Sequence, residues 1–494
     1  MTLKAKALQN ISSSWFGLAT NLAVGFLLSP FILHHLGDDA FGLWVLVFSL
    51  TGYYGLFDFG IRSSIVRYVA QFKAAGEKDS LSRYINTSLC TYGGIGLVLL
   101  IVTIAGSFYV TSLFRIPPAL HWSARILFLV VGAAVAVGFP LSVFAGVLEG
   151  LQKFNWLSLT QAGYNVIRAL LIVVALRRGG GLLTIALISM ILNLCTYAVY
   201  FAVVQRELAV KYALRYVDRA SFRTMVSYGS ITFVAIIASQ LRFYSDATVI
   251  GIFIGSAAIT YFSIGSKLVS YSSNITQSMA QIFTPMSSQF NATGDMERLR
   301  QILVKGNRAC ALVVFPISAT LIILGKSVIE VWVGAKYVPI AYTVLVLLIV
   351  SDSSQMAQSA SPKILYGMAR HRTIAFVWLA EGVVNLILSI VLLRRYGVVG
   401  VAIGTAVPQL CVNIFFLPEH LCRLLGMRLR RFVSQTYLAP ALLSMPLIGT
   451  LLLMRHFFVA HTYLELAAQL VAGGVVYGAG LLWFLLTKEQ MGLE

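Results

Sequence analysis

Three ionisable residues, Arg242, Asp246 and Lys267, lie within the otherwise largely apolar stretch 239–267, SQLRFYSDATVIGIFIGSAAITYFSIGSK. An ionised group at bilayer depth costs from about 3 to more than about 10 kcal/mol, so such groups persist where they face a bundle interior or a water-filled path. Arg242 and Asp246 are four residues apart, which puts both on one face of a helix. Two roles fit the pair. Arg242 attracts a phosphate-bearing anion that Asp246 tunes or releases, or the two form an ion pair that packs helices. Lys267 either faces a cavity or reaches along the helix to the interface. A lysine serves phosphate as a mobile point charge, whereas arginine offers a planar fork and two-pronged contacts.

Further charged residues extend the set. Asp58 and Arg62, in FDFGIR at the end of an apolar segment, repeat the four-residue spacing; they are gate or coupling candidates, or a structural pair. Arg168 lies deeper in another apolar segment and either contacts substrate or pairs with Glu149 or Asp58. Asp352 and Glu381 are coupling candidates in the second half, with solvated or helix-packing roles as the alternative. The aromatic rings of Trp15, Trp44, Tyr53, Tyr54, Tyr244 and Tyr261 are suited to stacking on sugars, but membrane aromatics commonly pack or anchor at the interface, and none is assigned to sugar. No Walker loop, HExxH motif, CxxC pair or nucleophile elbow occurs, so neither an ATP-driven pump nor a hydrolase has support. No enzyme activity, cofactor or metal is expected. The five cysteines lie within or at the ends of apolar runs and read as reduced packing residues.

The elements that position these residues follow from composition. Apolar residues make up 58% of the 494 and charged residues 11%, with a mean hydropathy of +0.84. A soluble domain carries about 25% charged residues, so lipid is the solvent of this chain. Apolar runs of about 20 residues recur, the signature of membrane helices rather than of a barrel. About fourteen spans are expected, the seventh and eighth at 225–254 and 257–283. The N-terminal apolar segment is too long for a cleaved leader and reads as the first helix. The net charge of +19 sits in short loops, which argues for topology and lipid headgroups rather than nucleic acid. With the N-terminus cytoplasmic, about 25 Lys and Arg fall in cytoplasmic loops against about nine opposite, so both termini are expected in the cytoplasm.

An internal repeat organises the chain. QFKAAGEKDSL begins at Gln71 and QFNATGDMERL at Gln289, an offset of 289 minus 71, or 218. The same offset superposes Gly37 on Gly255 and Tyr53 on Tyr271. Six spans per repeat is an even number, so the two halves are parallel repeats that suit alternating access. The expected organisation is a six-helix lobe over 1–204, a cytoplasmic linker over 205–224, a second six-helix lobe over 225–422, and two further helices with a cytoplasmic tail over 423–494.

The first half contains SPFILHHLGDDAFGLWVLVFSLTGYYGLFDFGIRSSIVRYVA, with the pattern P-x-x-L-x-x-L-G-x-x-x-F-G-L-W, and the second contains DATVIG followed by YFSIGSKL. In these motifs and in its span count the chain resembles the polysaccharide transporter family of the MOP superfamily, the Wzx-type flippases. The resemblance implies an all-α, V-shaped, MATE-like bundle of about fourteen helices. It also implies transfer of an undecaprenyl-pyrophosphate-linked oligosaccharide from the cytoplasmic to the periplasmic leaflet of the bacterial inner membrane, for O-antigen, capsule or exopolysaccharide synthesis. Arg242, Lys267, Asp246 and Arg168 are then the substrate-binding candidates, and the three deep cations suit a di-anionic headgroup. Membrane lipid, a coupling ion (H+ or Na+) and polysaccharide polymerases are the expected partners. An ion-coupled multidrug exporter of the MATE class and a lipid II flippase are the alternatives.

Overall fold

The computed structural model describes residues 3–208 and 210–490, with side chains for all of these except 3–14, 228–232, 235 and 487–490. The side chains of Lys4, Lys6 and Lys488, counted above in the cytoplasmic set, and the last residues of the expected tail lie outside that description. The described residues form helices and short connections, with no strand among them. Twelve of the helical segments described are long and apolar enough to cross a membrane.

The chain divides into two compact units, Met1–Thr260 and Tyr261–Glu494. The first contains α1 (Leu3–Leu36), α2 (Asp38–Gly52), α3 (Ile61–Ala75), α4 (Lys78–Leu113), α5 (His121–Gly150), α6 (Phe154–Arg177), α7 (Leu182–Glu207) and α8 (Arg219–Phe253). A 3₁₀ turn, Tyr53–Asp58, follows α2. The unit boundary falls inside α9 (Ser256–Ala280). The second unit continues with α10 (Phe283–Ala292), α11 (Met296–Val333), α12 (Val338–Met356), α13 (Ala360–Gly367), α14 (Arg372–Tyr396) and α15 (Val398–Cys411). After a π-helical turn, Val412–Phe416, come α16 (Leu417–Leu424), α17 (Leu429–Phe457) and α18 (Tyr463–Gln490).

The repeat survives as a register of helix starts. The N-terminal ends of α2 and α9, of α4 and α11, and of α6 and α14 are each separated by the offset read from the loops, 218 (38 to 256, 78 to 296, 154 to 372). The break before each repeat's second long helix is the same device, a glycine with positive φ: Gly76 at +74° and Gly294 at +70°. Only glycine adopts that conformation at little cost.

One expectation is revised. The expected seventh and eighth spans correspond to α8 and α9, which are 35 and 25 residues long; α8 includes 228–232 and 235, whose side chains lie outside the description, and α9 is not among the twelve apolar spans of the described residues. Serines, threonines and Lys267 interrupt the apolar sequence of α9. The two compact units divide after Thr260, and the 205–224 segment lies within the first. That linker is held on α4. Asn86 Nδ2 donates to the Lys211 carbonyl at 2.8 Å, its Oδ1 accepts from Ala213 N at 3.1 Å, and Thr87 Oγ1 accepts from Asp218 N at 3.0 Å. Asp218 then caps α8 by accepting from Ser221 N at 3.0 Å. These backbone N–H contacts hold its carboxyl below the usual carboxylate range.

Each unit has its own core. In the first, Ile61, Ile65 and Val69 of α3 pack with Tyr84 and Tyr92 of α4, Val143, Phe144 and Val147 of α5, and Tyr200 and Val204 of α7. In the second, Leu299 and Leu303 of α11 join Ile364, Ile374, Leu417, Leu421 and Phe432. The last two helices lie against α11: Arg308 Nε donates to the Gln435 carbonyl at 2.7 Å, and Tyr477 OH donates to the Leu312 carbonyl at 2.5 Å. Large apolar side chains such as Phe108, Leu170, Leu453 and Val475 stay exposed, as lipid-facing positions require.

Candidate functional site

The first unit contains an open polar cavity of about 520 Å³, a volume suited to a small ligand. Its walls come from α1 (Gly17, Asn21), α3 (Arg62), α5 (Ala145, Glu149), α6 (Leu157, Ser158, Gln161) and α7 (Asn193, Thr196, Tyr197, Tyr200). Arg62 and Glu149 are its charged lining residues, and they bind each other. Arg62 Nη2 lies 2.6 Å from Glu149 Oε1, and Arg62 Nε donates to Glu149 Oε2 at 3.4 Å. Burial works against the Arg62 charge, but the Glu149 carboxylate, with Asp58 behind it, outweighs burial and holds the guanidinium's pKa above its ordinary value.

The packing of α3 on α5 explains why these two side chains meet. A Cβ built on Gly150 would stand 2.8 Å from the Val66 carbonyl oxygen, and one on Gly146 would stand 3.2 Å from Ile65 Cγ2. Two glycines four apart, flanking Glu149, therefore let the helices approach closely. GVLEG carried that signal in the sequence, and it points to Glu149.

Asp58 and Arg62 do not form the helical pair that their spacing suggested. Phe59 and Gly60 take left-handed conformations (φ 48° and 75°) and break the helix between them. Asp58 Oδ1 accepts instead from the backbone N–H of Arg62 at 3.3 Å, inside the first turn of α3, and from the Tyr92 hydroxyl. Asp58 thus fastens the start of α3 to α4, and the guanidinium of Arg62 is left to Glu149. Arg168 pairs with neither Glu149 nor Asp58: its Nε donates to Ser189 Oγ across α6 and α7 at 2.9 Å.

Arg242 and Asp246 share a face of one unbroken helix, α8, with Asp246 buried and Arg242 half-buried. That helix lies close on α2 and the turn after it. A Cβ at Gly52 would sit 2.4 Å from the Tyr244 ring and one at Gly55 would sit 2.3 Å from Gln240 Nε2. The rings of Tyr53 and Tyr244 stand 5.9 Å apart. The turn after α8 is tied to the start of α2, where Ser256 Oγ donates to Asp39 Oδ1 at 2.7 Å and Thr260 Oγ1 to the Asp38 carbonyl at 2.7 Å.

In the second unit, Lys267 is half-buried on α9. Gly265 nearby lets α9 press on α12, since a Cβ there would lie 2.6 Å from the Ala341 carbonyl oxygen. Asp352 of α12 accepts from Gln409 Nε2 of α15, which also donates to Gln355 Oε1 at 2.9 Å. Gln358 Nε2 donates to the Asn413 carbonyl at 2.6 Å, within the π-helical turn. Glu381 is buried in α14.

The structure thus gathers Arg62 with Glu149, and with Asn21, Gln161 and Asn193, which sequence reasoning missed. Their signal was the isolated amide in an apolar span. Polar side chains in such spans serve helix contacts or function.

Comparison with known proteins gives these groups a context. The putative O-antigen transporter of Shigella flexneri is 19% identical over 408 residues, 80% of this chain and 94% of that protein. The uncharacterized membrane protein EpsK of Bacillus subtilis is 22% identical over 433 residues, 86% of this chain and 85% of that protein. The inward closed structure of the lipid II flippase MurJ superposes with a TM-score of 0.76 at 14% identity, covering 98% of this chain and 99% of that one. That likeness establishes the fold, which MOP-superfamily multidrug transporters share. The family profile described as polysaccharide biosynthesis protein matches residues 7–291, more than half of the sequence. With its apolar spans and its fold of membrane transporters, the chain belongs to the polysaccharide biosynthesis protein family.

Proposed function

We propose that this protein is a flippase that carries undecaprenyl-pyrophosphate-linked oligosaccharide repeat units from the cytoplasmic to the periplasmic leaflet of the bacterial inner membrane, by alternating access. The observation that carries the reading is the polar cavity in the first unit of a largely apolar chain. A body whose solvent is lipid has use for such a cavity when its cargo is hydrophilic. The family match and the relative named as an O-antigen transporter support a glycan as that cargo.

In this reading Arg242 and Lys267 meet the pyrophosphate, with Asp246 tuning its release and Arg168 as a further cation. Desolvated di-anions need such partners. Asp352 and Glu381 are the coupling carboxylates of the second unit, and Asp58 and Arg62 shape the first. An ion gradient (H+ or Na+) or the membrane potential drives the cycle, both termini are cytoplasmic, and polysaccharide polymerases take up the product. The 205–224 segment joins the two six-helix lobes, and 423–494 adds two helices and a tail. A second reading, a lipid II flippase, draws on the fold shared along nearly the whole chain.

The test is transport in proteoliposomes of the purified protein. Three cargos run side by side: fluorescent undecaprenyl-pyrophosphate oligosaccharide, lipid II, and a cationic dye. Movement of the oligosaccharide lipid, lost in Arg242→Ala, is the expected result. Movement of lipid II alone transfers the assignment to the second reading. Movement of the dye alone refutes both.

A further inference from the structure

We propose that the cavity of the first unit is the seat of the cargo's sugar residues, an inference that rests on the flippase reading above. Its chemistry separates it from a phosphate site. Arg62 and Glu149, its charged lining residues, neutralise each other at 2.6 Å, so the space offers no net charge to a pyrophosphate or to a cation. What remains is a set of neutral groups that both donate and accept. Each side-chain amide supplies two N–H donors and a carbonyl oxygen, which matches a sugar hydroxyl in both directions. The side chains of Gln161 and Asn193 make no hydrogen bonds to other described residues, so their amides are open to a ligand in the cavity. Thr196 and Tyr200 turn their hydroxyls to backbone carbonyls, at 3.0 and 3.5 Å, and leave the amides as the principal neutral contacts. Tyr197 presents its ring to the same space, set edge-on to Tyr200 at 6.3 Å, and a ring face suits the C–H surface of a pyranose. About 520 Å³ falls within the range of small-ligand sites.

The test compares two ligands that differ only in the glycan. Full-length protein in detergent is titrated with the lipid-linked oligosaccharide extracted from the organism that encodes it, and with bare undecaprenyl pyrophosphate. Wild-type protein is expected to bind the glycosylated lipid more tightly. Gln161→Ala, at the exposed rim of the cavity, and Asn193→Ala should each weaken the glycosylated lipid about tenfold, the value of one or two neutral hydrogen bonds, and leave the bare lipid unchanged. Equal loss for both lipids in either folded variant, or no loss for either lipid, overturns the sugar seat. Equal affinity of the wild type for both lipids overturns it as well and leaves the flippase reading standing. Failure of the wild type to bind either lipid overturns both readings.

Discussion

Removing one side of the Arg62–Glu149 pair should cost nearly as much as removing both. Two unit charges about 4 Å apart attract by about 4 kcal/mol where the effective dielectric constant is about 20. Desolvation and side-chain ordering offset most of that. The Arg62 side chain is 46% exposed and that of Glu149 27%, so the pair lies between two regimes. Exposed pairs contribute about 0.2–1 kcal/mol, whereas orphaning one partner of a buried pair costs about 3–5 kcal/mol. We therefore expect Glu149→Gln and Arg62→Met each to cost about 2 kcal/mol and the double variant about 2.5, a coupling of about 1.5 kcal/mol. The assay is equilibrium unfolding in mixed micelles by SDS titration, followed by tryptophan fluorescence on the four members of the cycle. Arg62→Met also loses the attraction of Asp58, but it does so with and without Glu149, so that loss cancels in the cycle, and the Asp58 bond to the Arg62 backbone N–H is retained. Costs that add to within about 0.5 kcal/mol would refute the reasoning: the two groups would then be stabilised separately by their surroundings.

Three further outcomes follow from single contacts. Gly42→Ala would drive a Cβ to 1.7 Å from the Ser256 carbonyl oxygen, so it should destabilise by about 1–3 kcal/mol in the same titration, whereas Gly93→Ala, with nothing within 4 Å, should not; equal effects would contradict the close approach of α2 to the turn after α8. Asp218→Ala should lower the unfolding midpoint at neutral pH. Because its folded pKa is depressed, the contribution of Asp218 is present above its ordinary pKa and is lost as pH falls through the folded value; a wild-type to variant difference that persists in strong acid would show that the carboxylate is not its source. Arg242→Lys should restore part of the transport that Arg242→Ala loses if charge alone matters, and Asp246→Asn should flatten the pH dependence of transport if protons couple there; normal flipping by Arg242→Ala ends the pyrophosphate role, and an unaltered pH profile ends the proton role.

Much of the fold was legible because glycines and apolar runs set it locally. The offset read from two loops, QFKAAGEKDSL and QFNATGDMERL, reappears in the starts of three pairs of helices, since each loop carries its own helix stop, Gly76 or Gly294. The site was less legible because its contacts are long-range or depend on backbone geometry that spacing does not reveal. Four residues separate Asp58 from Arg62 and Arg242 from Asp246 alike, yet α8 is continuous through the second pair while Phe59 and Gly60 break the chain inside the first. Glu149 is 87 positions from its partner. Asn86 and Thr87 hold the basic, polar 205–224 segment on α4 through long-range contacts that its composition does not reveal.

The pairs Arg242 with Asp246 and Arg62 with Glu149 also differ in what can change their spacing. Arg242 and Asp246 ride on one helix, so a displacement of α8 carries both and keeps their spacing. Arg62 and Glu149 sit on different helices, so a separation of α3 from α5 would part them. Gly150 facing the Val66 carbonyl and Gly146 facing Ile65 commit that interface to close packing, and the apolar cluster of α3, α4, α5 and α7 surrounds it. Close-packed contacts rearrange between discrete states rather than by gradual deformation. The charge balance of the cavity is therefore a fixed property of the first unit through any motion that keeps α3 on α5. Any step of transport that calls for an uncompensated cation must draw on residues outside this pair.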